Sequence, residues 1–193
     1  VVAEKEGQLV LLRKLERLFG CTTIALGGQP SILATEYFTD ALFEAGLGQE
    51  RLLVLMLVDF DPAGDSIANA FLNQMRSVGF EGELVRHDIA VPGRMTMEQM
   101  RLNRYALGRS RRQKEKTRRW IARTGGLATV NERWKNYGLE ADAMTEGQVL
   151  GALLELTAGQ LWVPADEIHR RRLKTELASV LQEMLLGRIL GRL

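Results

Sequence analysis

An uninterrupted run of seven apolar residues at positions 52–58 limits the folds open to this chain more than any other feature. The run contains only Leu, Val and Met, which is typical of a strand buried on both faces in the middle of a parallel sheet. Helix-like segments precede and follow it at the intervals expected of βα units. The sequence therefore predicts an α/β fold with a mostly parallel sheet flanked by helices.

The first half of the chain contains repeated strand and helix patterns. Strands are predicted at residues 1–3, 22–26, 52–58 and 83–87, and helices at residues 8–19, 31–45 and 62–78. Gly20 supplies a stop for the first helix, and Ser31 is a candidate cap for the second. We expect a sheet of about four strands within a core domain that comprises residues 1–94.

The pattern changes after Pro92, and from Met95 onward the sequence predicts helical segments and no strands. These segments lie near residues 97–123, 131–137, 145–157 and 164–190. The last of them carries Leu and Ile on one stripe, which indicates packing against another surface. We expect residues 95–193 to form a basic, helical C-terminal extension that packs on the core.

Positive charge is concentrated in one segment, although the formal net charge of the chain is only +2. Residues 101–123 contain ten basic residues and a single acid, Glu115, while the rest of the chain is net acidic. Such a segment is typical of a contact with the phosphate backbone of duplex DNA, although a solvated helix face is the alternative. The predicted DNA-binding residues are Arg109, Arg111, Arg112, Lys114, Lys116, Arg118 and Arg119.

The remaining composition narrows the class of protein. No apolar run approaches the roughly 18 residues needed to span a bilayer, and the N-terminus lacks a signal-peptide pattern, so we expect a cytoplasmic protein without a membrane partner. Cys21 is the only cysteine, which excludes an internal disulfide and a cysteine-built zinc site. Val1 fits a strand already under way, and we expect a further segment upstream.

Three carboxylates are expected to meet at one edge of the sheet. Asp59 and Asp61 follow the buried strand, and residues two apart on an extended segment point to the same face. Glu4 follows the first predicted strand, and ligands of parallel sheets bind outside the carboxyl ends of the strands. Three acids at one place require a hard cation or protonation. We predict a Mg²⁺ site at Glu4, Asp59 and Asp61 that binds a phosphate substrate, with a general acid or base role for Glu4 as an alternative.

The residues around these acids resemble a known family. The segment Glu4-Lys5-Glu6, the turn Gly28-Gln29-Pro30 and the run Asp59-Phe60-Asp61-Pro62-Ala63-Gly64 resemble the Toprim domain of topoisomerase VI A subunits and of the related meiotic double-strand-break transesterases. Residues 137–143 look like that family's glutamate-and-alanine stretch. Ser31 and Glu36 depart from it, since the family usually has an acid and an arginine at these positions.

The resemblance implies a Toprim-like fold, catalytic Mg²⁺ held by Glu4, Asp59 and Asp61, and a homodimer that straddles duplex DNA. In that family the attacking tyrosine lies in a winged-helix domain ahead of Toprim, so it would come from an upstream domain or a partner subunit. Tyr37, Tyr105 and Tyr137 are instead expected to pack on helices. The parent protein of such a domain is a topoisomerase, a break-forming nuclease or a Toprim nuclease of a defence system.

Other classes of protein share parts of this pattern. A haloacid-dehalogenase phosphatase also has Asp-x-Asp after a buried strand, but Pro62 stands where its Gly-Thr turn begins. A response-regulator receiver would lack the additional C-terminal helices. A non-catalytic DNA-binding or assembly module with vestigial acids remains an alternative.

Overall fold

The computed structural model describes residues 1–159, and it confirms the α/β fold class. Four strands form one parallel sheet in the order β2-β1-β3-β4. Their bounds are β1 Val2–Ala3, β2 Ile24–Ala25, β3 Leu52–Leu57 and β4 Leu84–Asp88. The predicted strands all appear, although β1 and β2 are shorter than the sequence suggested.

Helices cover both faces of this sheet. Their bounds are α1 Leu9–Phe19, α2 Ile32–Glu44, α3 Pro62–Ser77, α4 Met97–Asn103, α5 Arg111–Thr124 and α6 Glu146–Thr157. Gly20 ends α1 in a left-handed conformation, as the sequence indicated. Ser31 stands at the N-cap of α2, but its side chain makes no capping hydrogen bond, so the suggested cap was wrong. Among these described helices, none is long and apolar enough to cross a membrane.

Strand β3 separates two hydrophobic clusters. Leu55 and Leu57 pack on one side with residues of α1 and α6, whereas Val54, Met56 and Val58 pack on the other side with residues of α2 and α3. These β3 side chains are buried. Because helices cover both faces of the sheet at β3, the strand itself presents no polar side chain to solvent. The first polar residues follow it at its carboxyl end.

The prediction of helices alone after Met95 was wrong. Strands β5 (Arg104–Ala106) and β6 (Tyr137–Leu139) form an antiparallel pair, and β5 interrupts the helix predicted over residues 97–123. Ser110 begins α5 afresh through a capping box with Gln113. Three-residue strands are too short for an alternation of polar and apolar residues to be recognised. The many Arg, Lys and Gln residues between positions 101 and 123 have high helix propensity, so the segment was predicted as one basic helix.

The β5-β6 pair is attached directly to the loop after β3. The backbone N–H of Phe60 donates to the carbonyl of Leu139 at 2.9 Å, and the N–H of Leu139 donates back at 3.2 Å. Leu139 is fully buried in the cluster that contains Ala3 and Leu57. Residues after position 94 therefore contribute to the same hydrophobic cluster as β1 and β3. The helix predicted near residues 164–190 lies outside the described residues.

Candidate functional site

Glu4 and Asp59 meet at the carboxyl edge of the sheet. Strands β1 and β3 are adjacent and parallel, with Ala3 opposite Leu57, so the residues that follow them emerge side by side. The backbone N–H of Asp59 donates to Oε2 of Glu4 at 3.3 Å. The convergence expected from parallel strand ends is present for these two carboxylates.

The environment of Glu4 disfavours its ionised form. Burial raises the pKa of the Glu4 carboxyl, and the negative charges of Asp59 and Asp61 raise it further. The hydrogen bond from the Asp59 N–H acts in the opposite direction but does not cancel these effects. Asp59 and Asp61 therefore both lie close enough to Glu4 for their charges to act on it.

Asp59 is held by a backbone donor and a lysine. Its Oδ1 accepts a hydrogen bond from the N–H of Ala141 at 2.8 Å and lies 3.3 Å from Nζ of Lys5. Burial raises the pKa of the Asp59 carboxyl, while the Ala141 N–H and the Lys5 charge lower it without restoring its ordinary value. Only 15% of the Asp59 side chain is exposed.

Lys5 joins Asp59 to the segment that follows β6. Besides Asp59, its ammonium contacts Oε2 of Glu140 at 3.0 Å and Oδ2 of Asp142 at 3.2 Å. Burial lowers the pKa of Lys5, but the hydrogen bond to Glu140 and the charge of Asp59 outweigh burial and raise it overall. Lys5 is thus protonated and neutralises part of the acidic edge.

Asp61 has a different role from its two neighbours. Its Oδ1 accepts hydrogen bonds from the backbone N–H groups of Ala63 at 2.8 Å and Gly64 at 2.6 Å, which makes Asp61 the N-cap of α3. Its Oδ2 accepts a hydrogen bond from the hydroxyl of Tyr105 at 2.7 Å. Both oxygens are therefore engaged in fixing the loop between β3 and α3.

Two glycines allow this loop to pack closely. A Cβ atom at Gly64 would lie 2.2 Å from the carbonyl oxygen of Asp59, and one at Gly138 would lie 2.8 Å from Cβ of Asp61. The second of these glycines is on β6, beside Tyr105 on β5. Close approach of β6 to Asp61 therefore requires a residue without a side chain at position 138.

Tyr105 is a site residue that sequence reasoning missed. It lies on β5, so the helix-packing role expected for it was wrong, and the same holds for Tyr137 on β6. Burial and, to a smaller extent, the hydrogen bond to Asp61 raise the pKa of the Tyr105 phenol far above its ordinary value. Tyr37 does lie on a helix, α2, but is largely exposed. Nothing in the spacing of these tyrosines distinguishes Tyr105 from the others.

The basic segment ends next to the acidic loop, which joins β3 to α3 and contains Asp59 and Asp61. Trp120 on α5 packs edge-to-face against Phe60, with ring centroids 5.0 Å apart, and Phe60 lies between Asp59 and Asp61. Arg123, one turn later, forms an ion pair with Asp65 on α3. Helix α5 is thereby anchored to the loop through its last turns.

The predicted DNA-binding side chains all lie on the solvent side. The exposed residues are Arg109, Arg111, Arg112, Lys114, Lys116, Arg118 and Arg119. Glu115, the one acid of α5, pairs with Arg119 on the same helix. Thr117 and Trp120 form the buried side of α5, so the opposite surface is almost entirely cationic.

The carboxylate oxygens at this edge can be compared with the ligands that Mg²⁺ requires. Within residues 1–159, no group of three or more His, Cys, Asp or Glu side chains is arranged to hold a metal ion. The same residues place no hydrogen-bond donor on Oε1 of Glu4 or Oδ2 of Asp59. Mg²⁺ is commonly bound by one or two carboxylates together with waters and phosphate oxygens, so Glu4 and Asp59 fit it as a pair.

Comparisons of this chain with protein-family models, with curated proteins and with solved structures gave no match.

Proposed function

We propose that this chain is a Toprim-like module that binds Mg²⁺ and duplex DNA and assists phosphodiester cleavage by a nucleophile supplied from outside residues 1–159. The observation that carries this proposal is the attachment of a cationic helix to an acidic loop. Phe60, between Asp59 and Asp61, contacts Trp120 of α5. A phosphate-binding surface and a pair of carboxylates therefore share one structural support.

The acidic edge supports the metal-binding part of the proposal. Glu4 and Asp59 come from neighbouring strands, and the pKa of each carboxyl is raised by burial above its ordinary value. Proteins keep such groups where a cation relieves the repulsion between them, and perturbed carboxyls in a cleft are candidates for functional sites. Glu4 and Asp59 would hold the ion, and Asp61 would keep their loop in place as the cap of α3.

The cationic surface of α5 supports the DNA-binding part. A helix of 14 residues is about 21 Å long, so its basic face is long enough to lie along several phosphates of a duplex. Of its predicted contact residues, Arg119 alone forms an ion pair within the described part of the chain. The other side chains are therefore available to neutralise phosphates and release counterions.

A bound Mg²⁺ would supply charge stabilisation at a phosphodiester oxygen and at a leaving 3′-oxygen. The nucleophile is a separate requirement. Tyr105 is the tyrosine nearest the acids, but its hydroxyl donates to Asp61 and its raised pKa disfavours the phenolate. We therefore assign the attacking group to an upstream winged-helix domain or a partner subunit, with a homodimer on the duplex as the assembly.

Calorimetry with MgCl₂ and MnCl₂ tests the metal site. The full chain should bind either ion, and both Glu4→Gln and Asp59→Asn should weaken binding by at least about tenfold, since each removes one of two charged ligands. Glu83→Gln is the matched control, because Glu83 is an exposed carboxylate paired with Arg51 away from this edge. Absence of metal binding by the unmodified chain would overturn the Mg²⁺ proposal.

A second candidate is a non-catalytic DNA-binding or assembly module. The contacts of Lys5 favour it, because a lysine already neutralises Asp59 without any metal. This module would bind duplex DNA with a salt-dependent affinity that Asp59→Asn does not alter, and Mg²⁺ would lower that affinity only as a competing counterion, to the same extent in the unmodified chain and in Asp59→Asn. Measuring DNA binding by fluorescence anisotropy with Mg²⁺ and with a chelator distinguishes the two candidates.

A further inference from the structure

We propose that Lys5 is an exchangeable cation at this edge: its ammonium neutralises Asp59 when no divalent ion is bound and gives up that contact when Mg²⁺ binds to Glu4 and Asp59. The inference rests on the proposed Mg²⁺ site. It assigns to Lys5 control over metal affinity, a role distinct from holding the metal or contacting DNA.

The geometry of Lys5 matches that of a resident cation. Its Nζ lies 3.3 Å from Asp59, 3.0 Å from Glu140 and 3.2 Å from Asp142. Its N–H groups donate hydrogen bonds to Glu140 and Asp142, whereas its contact with Asp59 is an ion pair. The flexible four-carbon stem permits the charge to move without movement of the backbone.

The three carboxylates around Lys5 differ in how much they depend on it. Asp59 has a side chain that is 15% exposed, whereas Glu140 and Asp142 are about half exposed. A partly buried carboxylate requires a counter-charge, while exposed ones are hydrated by water. Glu140 and Asp142 therefore form a place where the ammonium can remain after it leaves Asp59.

The two oxygens of Asp59 have different contacts. Oδ1 faces Lys5 and the Ala141 N–H, while no donor within residues 1–159 engages Oδ2. The backbone N–H of Asp59 donates to Oε2 of Glu4, so the Glu4 carboxylate lies beside the backbone of Asp59. A divalent ion held by Glu4 and Asp59 would repel an ammonium on the same Asp59 carboxylate, so the two cations oppose one another.

Mg²⁺ titration of Lys5 variants by calorimetry tests the exchange. Lys5→Met should bind Mg²⁺ about tenfold more tightly than the unmodified chain, the size of one close charge interaction. Lys5→Arg keeps the charge and should bind Mg²⁺ as the unmodified chain does. Lys14→Met is the matched control, because Lys14 pairs with Glu146 and its removal changes the net charge equally.

A second measurement uses the unmodified protein, so that it does not depend on the folding of a variant. The ¹⁵Nζ resonance of Lys5, identified by its disappearance in Lys5→Arg, should shift when Mg²⁺ is added, and the Lys14 resonance should not. A Lys5 resonance that stays unchanged while Mg²⁺ binds would overturn the inference.

The outcomes separate this inference from the proposed function. If the unmodified chain binds Mg²⁺ but Lys5→Met binds it equally or more weakly, Lys5 is not an exchangeable cation and the metal site stands. Equal tightening by Lys14→Met would also overturn the inference, because net charge alone would explain it. If neither the unmodified chain nor Lys5→Met binds Mg²⁺, the proposed metal site itself fails.

Discussion

The hydroxyl of Tyr105 donates a 2.7 Å hydrogen bond to Oδ2 of Asp61, which lies 44 residues earlier in the chain. Asp61 uses its other oxygen to cap α3. The Asp61 carboxylate therefore connects the start of α3 to strand β5. The position of the acidic loop depends on elements from both halves of the described chain.

Tyr105→Phe should lower the free energy of unfolding by about 1–2 kcal/mol, because it removes a hydrogen bond to a charged, buried acceptor. Urea denaturation followed by circular dichroism measures the change. Tyr137→Phe is the control, since the structure gives the Tyr137 hydroxyl no partner within residues 1–159, and its effect should stay within about 0.5 kcal/mol. Equal effects of the two substitutions would contradict the assigned role of the Tyr105 hydrogen bond.

Gly138→Ala should destabilise the protein by about 1–3 kcal/mol, because the added Cβ would overlap Cβ of Asp61 and the ring of Tyr105. Gly151→Ala is a contrasting control on α6, where an added Cβ meets nothing within 4 Å. That control should stabilise the protein by about 0.5–1 kcal/mol through helix propensity. Thermal and urea unfolding of both variants would show opposite signs, and a neutral Gly138→Ala would refute the close packing of β6.

Glu4→Gln should raise stability at neutral pH when a chelator removes divalent ions. Because burial and repulsion raise the pKa of Glu4 in the folded protein, the native state binds more protons than the unfolded state above the ordinary glutamate pKa. Stability of the unmodified chain therefore falls as pH rises through the folded pKa, and the penalty is absent below the unfolded pKa.

Urea denaturation between about pH 4 and pH 8 measures this dependence. The advantage of Glu4→Gln should be present at neutral pH and disappear as the solution is acidified. Glu36→Gln, which replaces an exposed carboxylate on α2, is the matched control. A Glu4→Gln profile parallel to that of the unmodified chain would show that folding does not raise the pKa of Glu4.

Replacing Arg111 and Arg112 by Ala should weaken duplex DNA binding and reduce the slope of log K against log salt by up to about 1.8, or about 0.9 for each phosphate that is no longer neutralised. These residues occupy the first turn of α5, where positive charge opposes the helix dipole, so their removal should not unfold the helix. Arg13→Ala with Arg17→Ala on α1 removes the same charge elsewhere. Anisotropy titrations at several salt concentrations would contradict the assignment if both pairs gave equal slopes.

The parallel sheet and the convergence of Glu4 with Asp59 could be predicted because each depends on strong local patterns. The apolar run that becomes β3 identifies a central strand, and parallel neighbours place their carboxyl ends at one edge. The role of Asp61 as a helix cap was also present in the sequence, since Pro62 follows it at the first helical position. The two-residue spacing and the family resemblance had both grouped Asp61 with Asp59.

The β5-β6 pair and Tyr105 could not be predicted in the same way. Each strand has three residues, and the pairing of Tyr105 with Gly138 connects positions far apart in sequence. Its determinants are tertiary, including the guanidinium of Arg104 over the rings of Trp134 and Tyr137. The resemblance proposed for residues 137–143 did not predict that Lys5 would contact Glu140 and Asp142.

The contact between Phe60 and Trp120 has a consequence for how a DNA strand would lie on the protein. It links the helix proposed to touch phosphates to the loop that holds Asp59, so the separation between the two is set by the protein and not by the DNA sequence. Under the proposed function, a phosphate bound at the acidic loop would then lie a fixed number of nucleotides from the phosphates that α5 contacts. Footprints on duplexes of different sequence would keep one constant offset between these two protected positions.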